Sequence, residues 1–255
     1  MTDITLILPY YESPTMFEFH VRCFGQCSDL VREHLEIIFI DDVSPLRPLI
    51  PVDFGFNVRY FRVLKKANWN IPFCRNLGAF AASHNWLILT DIDHTFLNPV
   101  LEHLIEGSWQ EDCVYWFSRS ERGDTGKAIF PHMNTYFMSK PMYERCGGDD
   151  ERTANIYAAQ EPDFLERSKK AARAVIPISD RYPLRDWTYL IEDARVRMIA
   201  RRTPENHYNY WQYFKLSRQT KGYKPLRMSF PYEEIARFNA GPHPASTTAA
   251  ALTGH

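Results

Sequence analysis

Cysteine is scarce in this chain, and what there is lacks pattern. Cys23, Cys27, Cys74, Cys113 and Cys146 make an odd number, with no C-x-x-C pair among them. A disulfide-stapled scaffold is excluded, and two thiols four apart (Cys23 and Cys27) are too few for a zinc site, so free thiols are expected. Long apolar runs are also missing: none approaches the roughly 18 to 20 residues that a membrane helix requires. The first residues enter a strand-like segment without the basic-then-apolar pattern of a secretory signal. Together these absences predict a soluble, cytoplasmic protein with no transmembrane segment. No internal repeat is visible, which sets aside solenoids and propellers. Net charge is only −1.

What is present is enough for a substantial core. The 255 residues are 45% apolar and 24% charged, ordinary values for a globular protein of one large or two small domains. Aromatics reach 15%, either as core or as flat faces for stacking on a sugar or base. Charge is locally uneven. Between Glu166 and Arg227 there are 15 Lys and Arg against 6 Asp and Glu. Such a segment is either a solvated basic surface or a face for an anionic partner.

Along the chain, ITLILPYY (4–11) reads as a buried strand stopped by Pro9. A helix follows from Ser13 as N-cap and Pro14 at the first helical position through His34. A strand from Glu36 to Asp42, a Pro-rich loop to Asp53 and a strand from Asn57 to Leu64 come next. Pro72 opens a second helix, and a short strand starts at Trp86. The order β-α-β-β-α-β predicts a mostly parallel sheet with helices on its faces. Further on, LNPVLEHLIEG and EPDFLERSKKAARA read as helices, and CVYWFS and AIFPHMNTYFMS as extended segments. The stretch from Tyr182 to Arg227 has no clean periodicity. From Asn239 the sequence is small and of low complexity, which predicts a flexible tail.

Two strands end in acid pairs. EIIFIDD finishes at Asp41 and Asp42, and WLILTDIDH delivers Asp91 and Asp93. Open α/β sheets bind ligands at the carboxyl ends of their strands. Hard carboxylate oxygens there suit Mg2+ or Mn2+, which keep open positions for diphosphate oxygens. The D-x-D spacing allows one acid to ligate metal while the other holds a ribose hydroxyl or a metal-bound water. Helix capping is the plainer alternative.

ITLILPYYESP, IIFIDDVSP and FCRNLGAFAASHNWLILTDID, in that order over residues 4 to 93, resemble the nucleotide-binding half of family-2-type glycosyltransferases with the GT-A fold. The resemblance implies a Rossmann-type α/β/α sandwich, with residues 1–97 as nucleotide-binding half, 98–238 as acceptor half and 239–255 as tail. It implies a nucleoside-diphosphate sugar as donor substrate, held at Pro9 and Tyr11, with Asp41 or Asp42 on the base or ribose. Arg75 would lie near base and phosphates, Asp91 near the ribose and Asp93 on the metal. Cys74 stands where the family usually has Ala. MSKPMYERCGGDDE resembles the acceptor-side loop, with Asp149 in place of Phe. QEPDFLER aligns with the motif that carries the general base, which puts Glu161 on the base position and Asp163 on a later Asp. Here Gln160 replaces an acid and Glu161 an Asp. Asp150 is the reserve base, its plainer role being a loop cap. His207 is a candidate third metal ligand, His132 a candidate for the acceptor pocket, and His94 most simply a loop residue beside the site. The acceptor implied is a glycan or, given the basic segment, a hydroxylated base in nucleic acid.

Two other readings compete. LILTDIDHTFLNP is similar to the first motif of haloacid-dehalogenase-like phosphatases, which would make Asp91, Asp93 and Thr95 catalytic with Ser118 and Lys140 as partners. The altered base motif also fits a catalytically silent nucleotide-sugar-binding protein.

Overall fold

The computed structural model describes residues 1–67, 69–120, 128–154, 156, 160–178, 184–187, 212–213 and 224–240, the side chains of 119–120, 128–133, 160 and 186 excepted. Its first half is a parallel sheet built from β1 (Ile4–Tyr10), β2 (Leu35–Asp41), β3 (Asn57–Val63) and β4 (Trp86–Leu89). β1 lies between β2 and β4, and β2 lies between β1 and β3, all parallel. The strands are apolar along their length because both faces are covered. Ile4, Leu6, Leu8 and Tyr10 pack with Met16, Phe17 and Phe24 of α1 (Pro14–Gly25), Val31 of α2 (Asp29–His34) and Leu101 of α4 (Asn98–Glu106). On the other face Ile7 packs with Phe73 and Leu77 of α3 (Ile71–Ala81), in one core with Met142 and Tyr143 of α5 (Lys140–Arg145) and Phe164 of α6 (Gln160–Ala171). The result is a three-layer α/β/α sandwich.

The antiparallel half grows from β4. β7 (Ala128–Ser139) pairs with it, β6 (Cys113–Ser120) pairs with β7, and β8 (Ala174–Pro177) and β9 (Leu184–Asp186) run parallel to β6. The two-residue β5 (His94–Thr95) pairs with β9, and β10 (Tyr232–Phe238) closes the far edge against β3. The mostly parallel sheet with flanking helices is the architecture read from the sequence.

Two local expectations change. Pro9 does not stop β1; it sits inside the strand opposite Ile40. Pairing with β4 has already ended at Ile7, so the missing proline N–H falls where one ladder is no longer needed. The helix expected from Ser13 to His34 is two, broken between Gly25 and Ser28. Ser13 occupies the N-cap position, but its hydroxyl donates to Tyr11 O rather than capping. All five thiols are unpaired. No described helix is long and apolar enough to cross a membrane. The expected tail beyond residue 240 and most of the basic segment from Tyr182 to Arg227 lie outside the described residues.

Candidate active site

Strand order places the site. From β1 the chain steps outward to β2 and β3, then β4 returns to the opposite side of β1. A crevice at the carboxyl ends of β1 and β4 follows from that reversal. Asp91 and Asp93 emerge just beyond β4, and each keeps under a fifth of its side chain exposed. They join His94 in a group whose ligand atoms all lie within 4.8 Å of one another.

His94 is the member that sequence reasoning missed. Its imidazole is buried, with Nδ1 3.3 Å from Thr90 Oγ1, which in turn lies 2.9 Å from Thr135 Oγ1. Nε2 faces Asp93 Oδ1 at 3.8 Å. A histidine whose second nitrogen is tied to a hydroxyl is arranged as metal-ligating histidines are. Two carboxylates and an imidazole suit Mn2+ or Mg2+ in hardness, so the donor set fits the cation. The signal in the sequence was adjacency: His94 directly follows the D-x-D.

Arg75 sits under this group. It projects from α3, completely buried, and its Nη2 donates to Asp91 Oδ1 at 3.0 Å and to Asn134 O at 2.8 Å. Asn134 Nδ2 donates to the other Asp91 oxygen at 2.9 Å. The neighbouring acids, Asp91 foremost, hold the guanidinium protonated against the cost of burial. Nε and Nη1 of Arg75, the hydroxyl of Tyr136 and Oδ1 of Asp149 have no hydrogen-bond partner among the described residues. Burial keeps Tyr136 a phenol.

Glu161 opens α6 beside this cluster. Dense protein around its carboxyl, and then the negative charge of Asp91, push it up to about 7, with Arg75 and a hydrogen bond from Asn134 pulling the other way. A carboxyl that titrates near neutrality has the proton affinity expected of a general base. Asp163, two residues on, pairs with Arg167 instead.

Asp150 takes its plainer role. Fully buried, it accepts from the backbone and guanidinium of Arg152, from Tyr213 Oη and from Leu226 N–H. It caps the 3-10 turn Glu151–Thr153 and ties that turn to the approach to β10. Asp149 turns the other way, under α3, where Tyr143 Oη donates to it and Asn76 bonds its backbone on both sides. Burial pushes Asp149 up, opposed by Arg75 and Arg167.

The donor-side candidates divide in the same manner. Asp41 accepts from Ser44 N–H at 2.9 Å and Leu49 N–H at 3.0 Å, so it shapes the loop after β2. Asp42 accepts from Asn70 N–H at the start of α3, at 3.1 Å. Pro9 is buried within β1, and Tyr11 stands half-buried at its end. The loops after β1 and β2 are cross-linked: Glu12 accepts from Leu46 N–H and Arg47, and its own N–H donates to Ser44 Oγ. Glu12 and Val43 adopt φ of 47° and 53° there. Left-handed backbone at non-glycine residues costs energy and gathers where function fixes geometry. His207 lies outside the described residues, as does the side chain of His132.

The phosphatase constellation does not assemble. Trp86, at the start of β4, pairs with Ser139, so the following Lys140 lies at the opposite end of that strand from Asp91. Lys140 Nζ donates to Phe80 O and Ala82 O.

No protein-family model matches the sequence, and no curated protein does. Solved structures do match. TarS of S. aureus aligns with a TM-score of 0.59 at 13% identity, over 87% of this chain and 40% of its own. TarS 1-349 in complex with UDP-GlcNAc aligns with a TM-score of 0.57 at 13% identity, over 86% of this chain and 76% of its own. The mannosyltransferase PcManGT from Pyrobaculum calidifontis, in complex with GDP-Man and Mn2+, gives 0.57 and 14% over 87% and 67%. This chain thus spans well under half of the longer TarS chain. At such identities the likeness is one of fold, and the fold is that of GT-A nucleotide-sugar glycosyltransferases.

Proposed function

We propose that this protein is a metal-dependent glycosyltransferase that moves a sugar from a nucleoside-diphosphate donor to an acceptor hydroxyl with inversion. The observation that carries the reading is the group Asp91, Asp93 and His94, whose ligand atoms lie within 4.8 Å of one another at the end of β4, with Glu161 beside it on the far side of Asn134. Asp91, Asp93 and His94 would hold Mn2+ or Mg2+, which when bound supplies positive charge for the departing diphosphate. The chain's own residues do the rest. Glu161 takes the proton from the acceptor hydroxyl as that oxygen attacks the anomeric carbon. Arg75 and Asn134 hold Asp91 in place, and Asp41 or Asp42, at the end of β2, would face the donor.

UDP-GlcNAc and GDP-Man, the ligands of the matching structures, are the first donors to test. A thermal-shift panel of UDP-, GDP-, dTDP- and CMP-sugars with and without Mn2+ decides the matter, because ligand binding raises apparent stability by mass action. One donor should stand out, and only with metal. No shift with any donor overturns the reading; a shift without transfer or hydrolysis makes the chain a nucleotide-sugar-binding protein. For the acceptor, a glycan hydroxyl and a hydroxylated DNA base separate by salt: transfer to DNA should fall steeply as salt rises.

A further inference from the structure

The acid loop is held by its backbone, and the decisive contact comes from a helix that no motif marks. Three successive carbonyls are each engaged. Asp91 O accepts from His94 N–H at 3.2 Å, and Asp93 O accepts from Trp187 N–H at 2.9 Å. Between them, Ile92 O lies 2.8 Å from His20 Nε2. The first bond is local to the turn. The other two come from parts of the chain more than seventy residues away.

We infer that His20 is a positioning residue for the metal site: it fixes the peptide that leads from Ile92 into Asp93 and so presets the two carboxylates. The inference rests on the metal reading of Asp91, Asp93 and His94 given above. A carbonyl oxygen only accepts, so the ring proton sits on Nε2. The imidazole is buried in α1, stacked on Phe24 at 5.7 Å and edge-on to Phe39 at 6.3 Å. Burial lowers His20 to about 4, so the ring is neutral at physiological pH and its role is geometric. Losing this donor leaves a buried carbonyl unpaired and frees the peptide to rotate, which moves Asp93 away from its partners. The preceding residue of α1 reinforces the clamp. Phe19 packs against Trp187 with ring centroids 4.6 Å apart, and Trp187 Nε1 donates to Thr95 Oγ1 at 2.9 Å. One turn of α1 therefore grips the loop directly through His20 and indirectly through Trp187.

The test measures Mn2+ alone, by titration calorimetry on the full chain, with no sugar nucleotide and no activity readout. His20→Leu fills the space without the bond and should weaken Mn2+ binding about tenfold or more, the range seen when a supporting hydrogen bond behind a metal site is lost. His20→Gln places an amide nitrogen near the Nε2 position and should recover most of the affinity lost in His20→Leu. His20→Asn is polar but too short to reach, and should resemble Leu; it carries the comparison if His20→Leu does not fold. Full affinity in the variants lacking the bond, or no rescue by Gln, overturns the positioning role alone. If the wild-type chain binds no Mn2+, the metal reading itself fails and this inference with it.

Discussion

Arg75 Nη2 lies 3.0 Å from Asp91 Oδ1, with the arginine completely enclosed and the aspartate mostly so. The pair joins α3 to the end of β4, and therefore joins the helix whose first turn is tied to Asp42 to the loop that carries the acids. Removing one partner strands the other's charge in a poorly solvated place. Arg75→Met should cost about 3 to 5 kcal/mol of folding stability, toward the lower end because Asp91 can recover some water. Urea unfolding measures it, and a loss below about 1 kcal/mol would mean that the pair is not what holds the junction.

Glu161 makes transfer and stability respond to pH in opposite senses. A base must be deprotonated to act, so transfer should rise with pH, through a value below that of the metal-free chain because a cation on Asp91 offsets part of the upward push, and that limb should vanish in Glu161→Gln. For stability, the folded chain keeps this proton where the unfolded chain, at the ordinary value of 4.5, has released it. With more protons bound when folded, stability falls as pH rises between those values. Thermal melts of wild type and Glu161→Gln from pH 4 to 8 should diverge, wild type losing ground to the variant as pH climbs. Parallel curves would remove the claim that burial raises this carboxyl.

Gly78 of α3 packs directly on Ile7 of β1. A Cβ added there would stand 2.4 Å from Cγ2 of Ile7, a stiff β-branched side chain in the core. Gly78→Ala should destabilise by about 1 to 3 kcal/mol through overpacking, with Ile7→Ala relieving much of the added cost in the double variant. Equal and additive losses would show that the contact is not the constraint.

The parallel half was legible because its strands are buried on both faces and so appear as apolar runs, with ends misplaced by a residue or so. The short strands were not. β5, β8 and β9 span two to four residues, and β10 pairs with β3 some 175 positions away, so neither carries a local signal. Asp91 and Asp93 were visible as a D-x-D at a strand end, and Arg75 and Glu161 only through the resemblance to glycosyltransferase motifs. Asn134 and Tyr136 were invisible until the register Leu89 to Tyr136 set β7 beside β4, although their alternation about Thr135 already put them on one face. Asp149 and Asp150 are adjacent acids that sequence cannot rank. Only the fold shows one capping a turn and the other lying beneath Arg75.

Asp91 and Asp93 look equivalent in the sequence but carry different loads, and that difference is measurable. Both oxygens of Asp91 serve the protein, one to Arg75 and one to Asn134. Asp93 Oδ1 faces His94 Nε2 at 3.8 Å, and its carbonyl accepts from Trp187 N–H. Asp93→Asn should abolish the stabilisation that Mn2+ confers, with no buried arginine left unpaired by the change. Asp91→Asn should lose that stabilisation and also destabilise the metal-free chain, because it leaves Arg75 buried without its counter-charge. If both variants melt like wild type without metal, the Arg75 pair is not structural. If Asp93→Asn still gains full stability from Mn2+, the cation is not held where the strand ends.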